Sequence, residues 1–283
     1  MSGSVPSTAT TSTKGERALK HAFLAAFTVA VLYPVAWVVK MALSPSQGFD
    51  ASAIPIPTNP SLDNFRHVLF ELPFGRWLLN SAIVSIAATA LGVFLACTSA
   101  YALSRFRFPG RTAAMLSFLV TQMFPGVLMM IPLYIIMDYL HLLDQLLGLI
   151  LVYSATAIPF CVWMLKGYFD TIPKELEEAA LMDGASPALV FWKIMLPLSL
   201  PAVAVTALFS FMTAWNEYIL AAQFMGEAHY TLPVGLKMMV GEFSSEWGHF
   251  AAGAILVSIP VVLLFFALQK NLVGGLTAGG VKG

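Results

Sequence analysis

The side chains able to do chemistry are few and mostly stand apart. Glu217 lies in an otherwise apolar run beside Trp215 and Asn216, and Gln122 lies in another. A charge at the bilayer centre costs roughly 2.5–3.5 kcal/mol on insertion scales. A carboxylate there must face a bundle interior or a watery path, so Gln122, Asn216 and Glu217 are candidates for a transport pathway or a subunit interface. Glu175, Glu177 and Glu178 form an acidic run followed by Asp183, which is either a solvated face or a surface that meets basic residues of a partner. His21, His67, His141, His229 and His249 show no metal-ligand spacing such as HxxxH, so no metal is expected. Cys97 and Cys161 sit inside apolar runs as small hydrophobes. There is no GxxxxGK[ST] motif, so this chain has no phosphate-cradling loop of that kind, and no clustered acid/base set suggests an enzyme.

The elements that carry these residues are membrane spans. Only 11% of the 283 residues are charged and 58% are hydrophobic, against about 25% charged in a soluble domain. That little charge cannot coat a water-facing surface. Lys+Arg and Asp+Glu balance at 15 each, leaving no basic excess for nucleic acid. A span needs about 20 mostly apolar residues. Six stretches qualify, near 21–43, 78–104, 113–138, 146–166, 200–225 and 249–269. The expected organisation is a polar, disordered tail over 1–20, an all-α transmembrane domain over 21–270, and a short tail over 271–283. With the N-terminus placed in the cytoplasm, eleven Lys and Arg fall inside and four (Lys40, Arg66, Arg76 and Lys237) outside. This positive-inside bias puts both termini and the loop near 167–199 in the cytoplasm of a multi-pass cell-membrane protein.

Prolines 125, 132, 159 and 260 interrupt the spans, and SAIVSIAATALG (81–92) and AAGA (251–254) offer small residues for close helix packing. The loop GYFDTIPKELEEAALMDGASPALVFWKIMLPLS (167–199) is expected to hold two short helices. Pro173 suits a first turn, and the glutamates favour that helix's positive end. Asp183-Gly184 is a stop signal. Ser186-Pro187 starts a second helix, with serine as cap and proline in the first turn. Ala179, Ala180 and Ala185 at the bend permit close approach of a partner.

Glu178-Ala179-Ala180, Gly184, Ile194 and Leu196-Pro197 match the pattern EAA-x3-G-x9-I-x-LP at every defined position. This resembles the signature of permease subunits of ABC importers. QMFPGVLMMIPLY (122–134), YTLPVGLKMM (230–239) and the tail QKNLVGGLTAGGVKG (269–283) resemble carbohydrate permeases of the maltose/maltodextrin (MalG-like) type. The resemblance implies the type I importer permease fold, with the loop as a coupling helix that docks in a cleft on a cytoplasmic ATPase. It implies coupling roles for Glu178, Ala179, Ala180, Asp183 and Gly184. It also implies a signalling tail carrying Gly275, Thr277 and Gly279, although so many glycines do not favour a stable helix. The implied partners are a second, larger permease (MalF-like), two ATPase subunits that bind ATP-Mg, an extracytoplasmic sugar-binding protein and the sugar itself. The chain itself needs no cofactor.

Two departures leave the saccharide open, with trehalose or another oligosaccharide as alternatives. The segment 44–77 is short for an enteric maltose permease, and TAWNEYILAA (213–222) follows the general sugar-permease pattern. Trp163, Tyr153, Phe118 and Phe211 can stack on sugar faces, but such residues more often serve packing or interfacial belts. The rival from another class is an ion-coupled secondary transporter. It would want an intramembrane relay, for which only Glu217 and the helix-end Asp138 are available.

Overall fold

The computed structural model describes residues 14–49, 52, 54–241 and 245–280, with backbone only for 270–280. The described residues are helical, apart from turns and a single isolated bridge, Val240 to Ser245. The long elements are α1 (Lys14–Leu43), α3 (Phe74–Arg105), α6 (Leu146–Phe169) and α13 (Trp247–Gly280). A short α2 (Asp63–Phe70) precedes α3. Two further spans are broken rather than continuous. One is α4 (Arg111–Met123) with α5 (Gly126–Tyr139), bent by 103°. The other is the Pro187–Leu198 segment with α10 (Leu200–Trp215), bent by 78°. Among the described residues, four continuous helices are long and apolar enough to cross a membrane, or up to six spans if each bent pair counts as one.

Four expectations are corrected. The stretch 113–138 is two helices, because Pro125 has no N–H to continue the ladder and forces Phe124 into an extended conformation (ψ 127°). The stretch 200–225 stops at Trp215. Asn216 ends α10, and a new short helix, α11 (Ile219–Phe224), begins after Tyr218. The first helix starts at Lys14, so Lys14, Arg17 and Lys20 are helical, while residues 1–13 lie outside the described set. The glycine-rich end also differs from expectation, since α13 continues through Gly280. Glycine costs about 1 kcal/mol per residue in a helix, but extending a helix already nucleated by the run from Trp247 needs no new nucleus.

The bundle is organised on the α3–α6 pair. Along α3, Ser81, Ser85, Ala88, Gly92, Ala96, Ala100 and Ser104 are buried or lie on one face at near four-residue spacing. Small side chains let α6 approach closely, and a Cβ on Gly92 would sit 3.5 Å from the Ser154 carbonyl oxygen. The Ser154 hydroxyl donates across the seam to the Ala88 carbonyl at 3.2 Å. Cys97 and Cys161 are buried free thiols in this packing, as read from their apolar surroundings. A second cluster joins α2 and the start of α3 to α13 through Val68, Phe74, Trp77, Trp215, Ala251 and Ala252.

Asp144 and His141 adopt left-handed backbone conformations between α5 and α6. The Asp144 carboxylate accepts from Gly226 N–H at 2.8 Å and meets His229 Nδ1 at 2.9 Å, tying this loop to the one after α11. The Gly226 hydrogen bond, then the His229 contact, hold its carboxyl below the ordinary carboxylate range. A depressed folded-state pKa gives stability that is present above the unfolded value of about 3.9 and lost as pH falls through the folded value. Asp144→Asn should therefore lower the melting temperature in detergent at pH 7, with the gap to the parent closing below about pH 4. A constant gap from pH 7 to pH 3 would contradict this assignment.

Candidate functional site

The information-bearing loop is a helical hairpin mounted on the end of α3. Its first arm is α7 (Glu175–Met182) and its second begins with α8 (Pro187–Val190). The second arm passes through a π turn (Phe191–Met195) and α9 (Leu196–Leu198) to the bend before α10. Pro173 lies just before α7 rather than inside its first turn.

Between the arms, Gly184 has φ +87°. Ala185 N–H donates to the Ala180 carbonyl and Gly184 N–H to the Leu181 carbonyl, both at 3.0 Å. This is a Schellman closure, in which a left-handed residue lets the last helical carbonyls be satisfied. No atom lies within 4 Å of where a Gly184 Cβ would stand, so the requirement for glycine is one of backbone conformation, not space. The Ser186 hydroxyl accepts from Leu189 N–H at 3.3 Å with Pro187 in the first turn, as the Ser-Pro pair suggests.

The hairpin is held from beneath by a residue that sequence reading passed over. Glu177 points inward while its neighbour Glu178 is exposed. One Glu177 oxygen pairs with Arg105 Nε at the last turn of α3, and the other accepts from Tyr101 Oη at 3.1 Å. The Arg105 and Glu177 side chains are only 8% and 9% exposed. The remaining guanidinium nitrogens reach the Ile172 carbonyl at 3.0 Å and the Ser104 hydroxyl at 2.9 Å. Ser104 in turn donates to Asp170 at 2.6 Å, and Lys166 pairs with the same carboxylate. Burial raises the Asp170 pKa, but the Lys166 and Ser104 hydrogen bonds and the nearby positive charges outweigh it, leaving the carboxyl below its usual range. A buried ion pair survives only when its leftover donors and acceptors are satisfied, and here backbone and hydroxyl partners surround it. The only sequence signal for it was a glutamate one residue before the matched motif.

The opposite face of the hairpin is open. Glu178, Ala179 and Asp183 are exposed, Ala180 and Ala185 pack partly against the core, and Met182 is 88% exposed. Leu176 and Leu181 are exposed as well, and Leu181 borders a cleft shared with Glu178, Arg105 and Glu177.

The other candidates do not form one cluster. Glu217 stands in the break between α10 and α11. It accepts from Leu220 N–H at 2.9 Å and Ala221 N–H at 3.1 Å, and receives Tyr153 Oη at 2.5 Å. It therefore starts α11 as a capping carboxylate rather than standing bare in a span. Asn216 donates to the Met212 carbonyl at 2.8 Å. Gln122 is exposed near the α4–α5 break and shares no hydrogen bond with either, among the described residues. Tyr153 and Phe211 are core residues, with Phe211 stacked on Trp215 at 5.3 Å, which favours packing over sugar contact for these two. Gly275, Thr277 and Gly279 lie on the last turns of α13.

A membrane bundle carrying an anchored hairpin with this turn matches a known family over residues 88–277, the binding-protein-dependent transport system inner membrane component. The chain belongs to this family. It is similar to the galactooligosaccharide transport permease GanQ of Bacillus subtilis (37% identity over 93% of this chain and 94% of that one). It is also similar to the maltodextrin transport permease MalD of Streptococcus pneumoniae (36% identity over 94% and 96%). Among solved structures, a bacterial ABC transporter that imports the acidic polysaccharide alginate superposes with TM-score 0.78 at 25% identity, over 92% of this chain and 98% of that one. These relatives are transport components, and the apolar helices place this chain in the membrane.

Removing one partner of the Arg105–Glu177 pair strands a buried charge, at a typical cost of about 3–5 kcal/mol. Arg105→Met or Glu177→Met alone should depress the melting temperature by several degrees, and the double variant should recover more than half of the loss. Strictly additive losses in that cycle would show that the two side chains do not act as a pair.

Proposed function

We propose that this chain is a permease subunit of an ATP-driven sugar importer, with maltose/maltodextrin-type oligosaccharides as the leading cargo. The observation that carries the reading is the exposed EAA hairpin locked to α3 through Glu177. In this reading it works as a lever that takes motion from an ATPase and hands it to the bundle. The relatives' cargoes include galactooligosaccharides, maltodextrin, sulfoquinovosyl glycerol and alginate, which supports a sugar or sugar derivative as the cargo class.

The partners in this proposal are a second, MalF-like permease, two ATPase subunits and an extracytoplasmic binding protein. The exposed helices α4 and α5, with Met137 as their one buried residue among those described, are the natural surface for the second permease. The hairpin end also gathers Arg105, Lys166, Lys174 and Lys193, consistent with a cytoplasmic placement of that end under the positive-inside rule. ATP-driven closure of the ATPase pair would carry the two hairpins together. The Arg105–Glu177 pair would transmit that displacement to α3, and α6 would follow across the small-residue seam. The breaks at Pro125 and Ser199 supply the flexing points for alternating access. Glu217 holds a third break, between α10 and α11, in shape rather than binding cargo. Gly275, Thr277 and Gly279 would extend α13 toward the ATPases as a signalling tail.

Two outcomes are expected in proteoliposomes holding the whole importer and its binding protein. Glu178→Ala or Gly184→Leu should abolish ATP-dependent uptake of labelled maltodextrin while membrane insertion is retained; normal uptake in both variants would refute a coupling role. Deleting 275–283 should lower binding-protein-stimulated ATP hydrolysis without changing the melting temperature, and unchanged stimulation would refute a signalling tail.

A further inference from the structure

We propose that His67, Glu246 and His249 form a binding site for a divalent transition-metal ion, clipping α2 to the first turn of α13. Separations of nearly two hundred residues hid this cluster from any spacing rule. Folding brings one nitrogen from each histidine and a Glu246 carboxylate oxygen within 4.8 Å of one another. The two imidazoles lie face to face, with ring centroids 3.9 Å apart and planes 10° from parallel.

The backbones on either side are fixed to each other independently of any ion. Gln47 accepts from His249 N–H at 3.1 Å through its side chain and from Trp247 N–H at 3.1 Å through its carbonyl. Its amide donates to Asn64 on α2 at 2.6 Å. Asn64 is 2% exposed and donates to the Ala42 and Ser44 carbonyls. Gly248 lies so close that a Cβ there would stand 2.7 Å from the Asn64 amide nitrogen. The histidines therefore project from a locked frame, which limits the reorganisation that binding would require. Glu71 sits 2.8 Å from His67 Nδ1. A carboxylate there holds the proton on Nδ1 and leaves Nε2 with its lone pair, the outer-sphere arrangement common behind metal-bound histidines.

Two imidazoles and one carboxylate suit zinc, cobalt, nickel or copper rather than calcium or magnesium, and three protein ligands leave a position for water. Bonds of about 2.0–2.1 Å require the three donor atoms to draw together and the stacked rings to splay. Partial exposure of all three side chains (29% for His67, 49% for Glu246, 14% for His249) leaves room for that rotation and a route from solution. The site stands by the start of α3, at the far end of that helix from the hairpin, so it does not depend on the coupling mechanism.

The test uses the full chain without a histidine tag, stripped with EDTA and titrated with Co2+. The expected result is about one Co2+ per chain with visible d–d absorption bands, displaced by Zn2+ and not by Mg2+, and a raised melting temperature. His67→Ala, His249→Gln and Glu246→Gln should each weaken binding at least tenfold, while His229→Ala should leave it unchanged. Should one variant fail to fold, the other two still decide the matter. Absence of the bands, or binding that persists in the folded ligand variants, would overturn the proposal.

Discussion

The buried pairing of Arg105 with Glu177 is the constraint on which the arrangement depends. A hairpin of two short helices has too little core of its own to be rigid, because helices of this length are marginal in isolation. Its shape comes from Gly184 and Ser186, but its attachment comes from one carboxylate turned inward. With Tyr101, Ser104 and the Ile172 carbonyl saturating the pair, α7 is tied to the last turn of α3. Glu178, one residue on, faces outward because consecutive helical positions lie about 100° apart. Neighbouring glutamates thus differ: Glu177 holds the hairpin, and Glu178 is exposed, where the proposed ATPase partner would meet it.

The bundle above that attachment combines stiff and yielding parts. The α3–α6 seam is stiff because small residues bring two long helices into intimate contact, with Ser154 bonding across it. The yielding parts are the breaks. Backbone groups freed by Pro125 or by the bend at Ser199 must find partners within protein or water, since lipid offers none. At the third break, Glu217 does this openly by taking the first N–H groups of α11. The exposed apolar surface of α1, α4 and α5 would be a liability in water. In a membrane protein it is where lipid or another permease lies.

Much of this was legible in the residues. Low charge and long apolar runs establish a polytopic helical protein, and the stop at Asp183-Gly184 and the start at Ser186-Pro187 are local signals that the structure reproduces in detail. Small residues in 81–92 foretold the close seam. What escaped had non-local causes. Glu177 looked like any member of an acidic run, because its burial is decided by Arg105, 72 positions away. Glu217 read as a bare intramembrane charge because hydropathy windows do not sense that a carboxylate can end one helix and begin another. Pro125 announced a kink, but the size of the bend depends on how the freed ends pack. The histidine cluster at α2 and α13 was invisible for the same reason as Glu177.

Coupling through the Arg105–Glu177 pair requires α7 and the end of α3 to move together. Spin labels on Met182→Cys at the hairpin tip and Arg107→Cys just beyond α3 measure this in the assembled importer, in the resting and ATP-bound states. The prediction is a distance distribution that stays the same in both states, while the distance from Met182→Cys to its counterpart on the second permease changes. A hairpin-to-α3 distance that shifts on ATP binding would contradict the account.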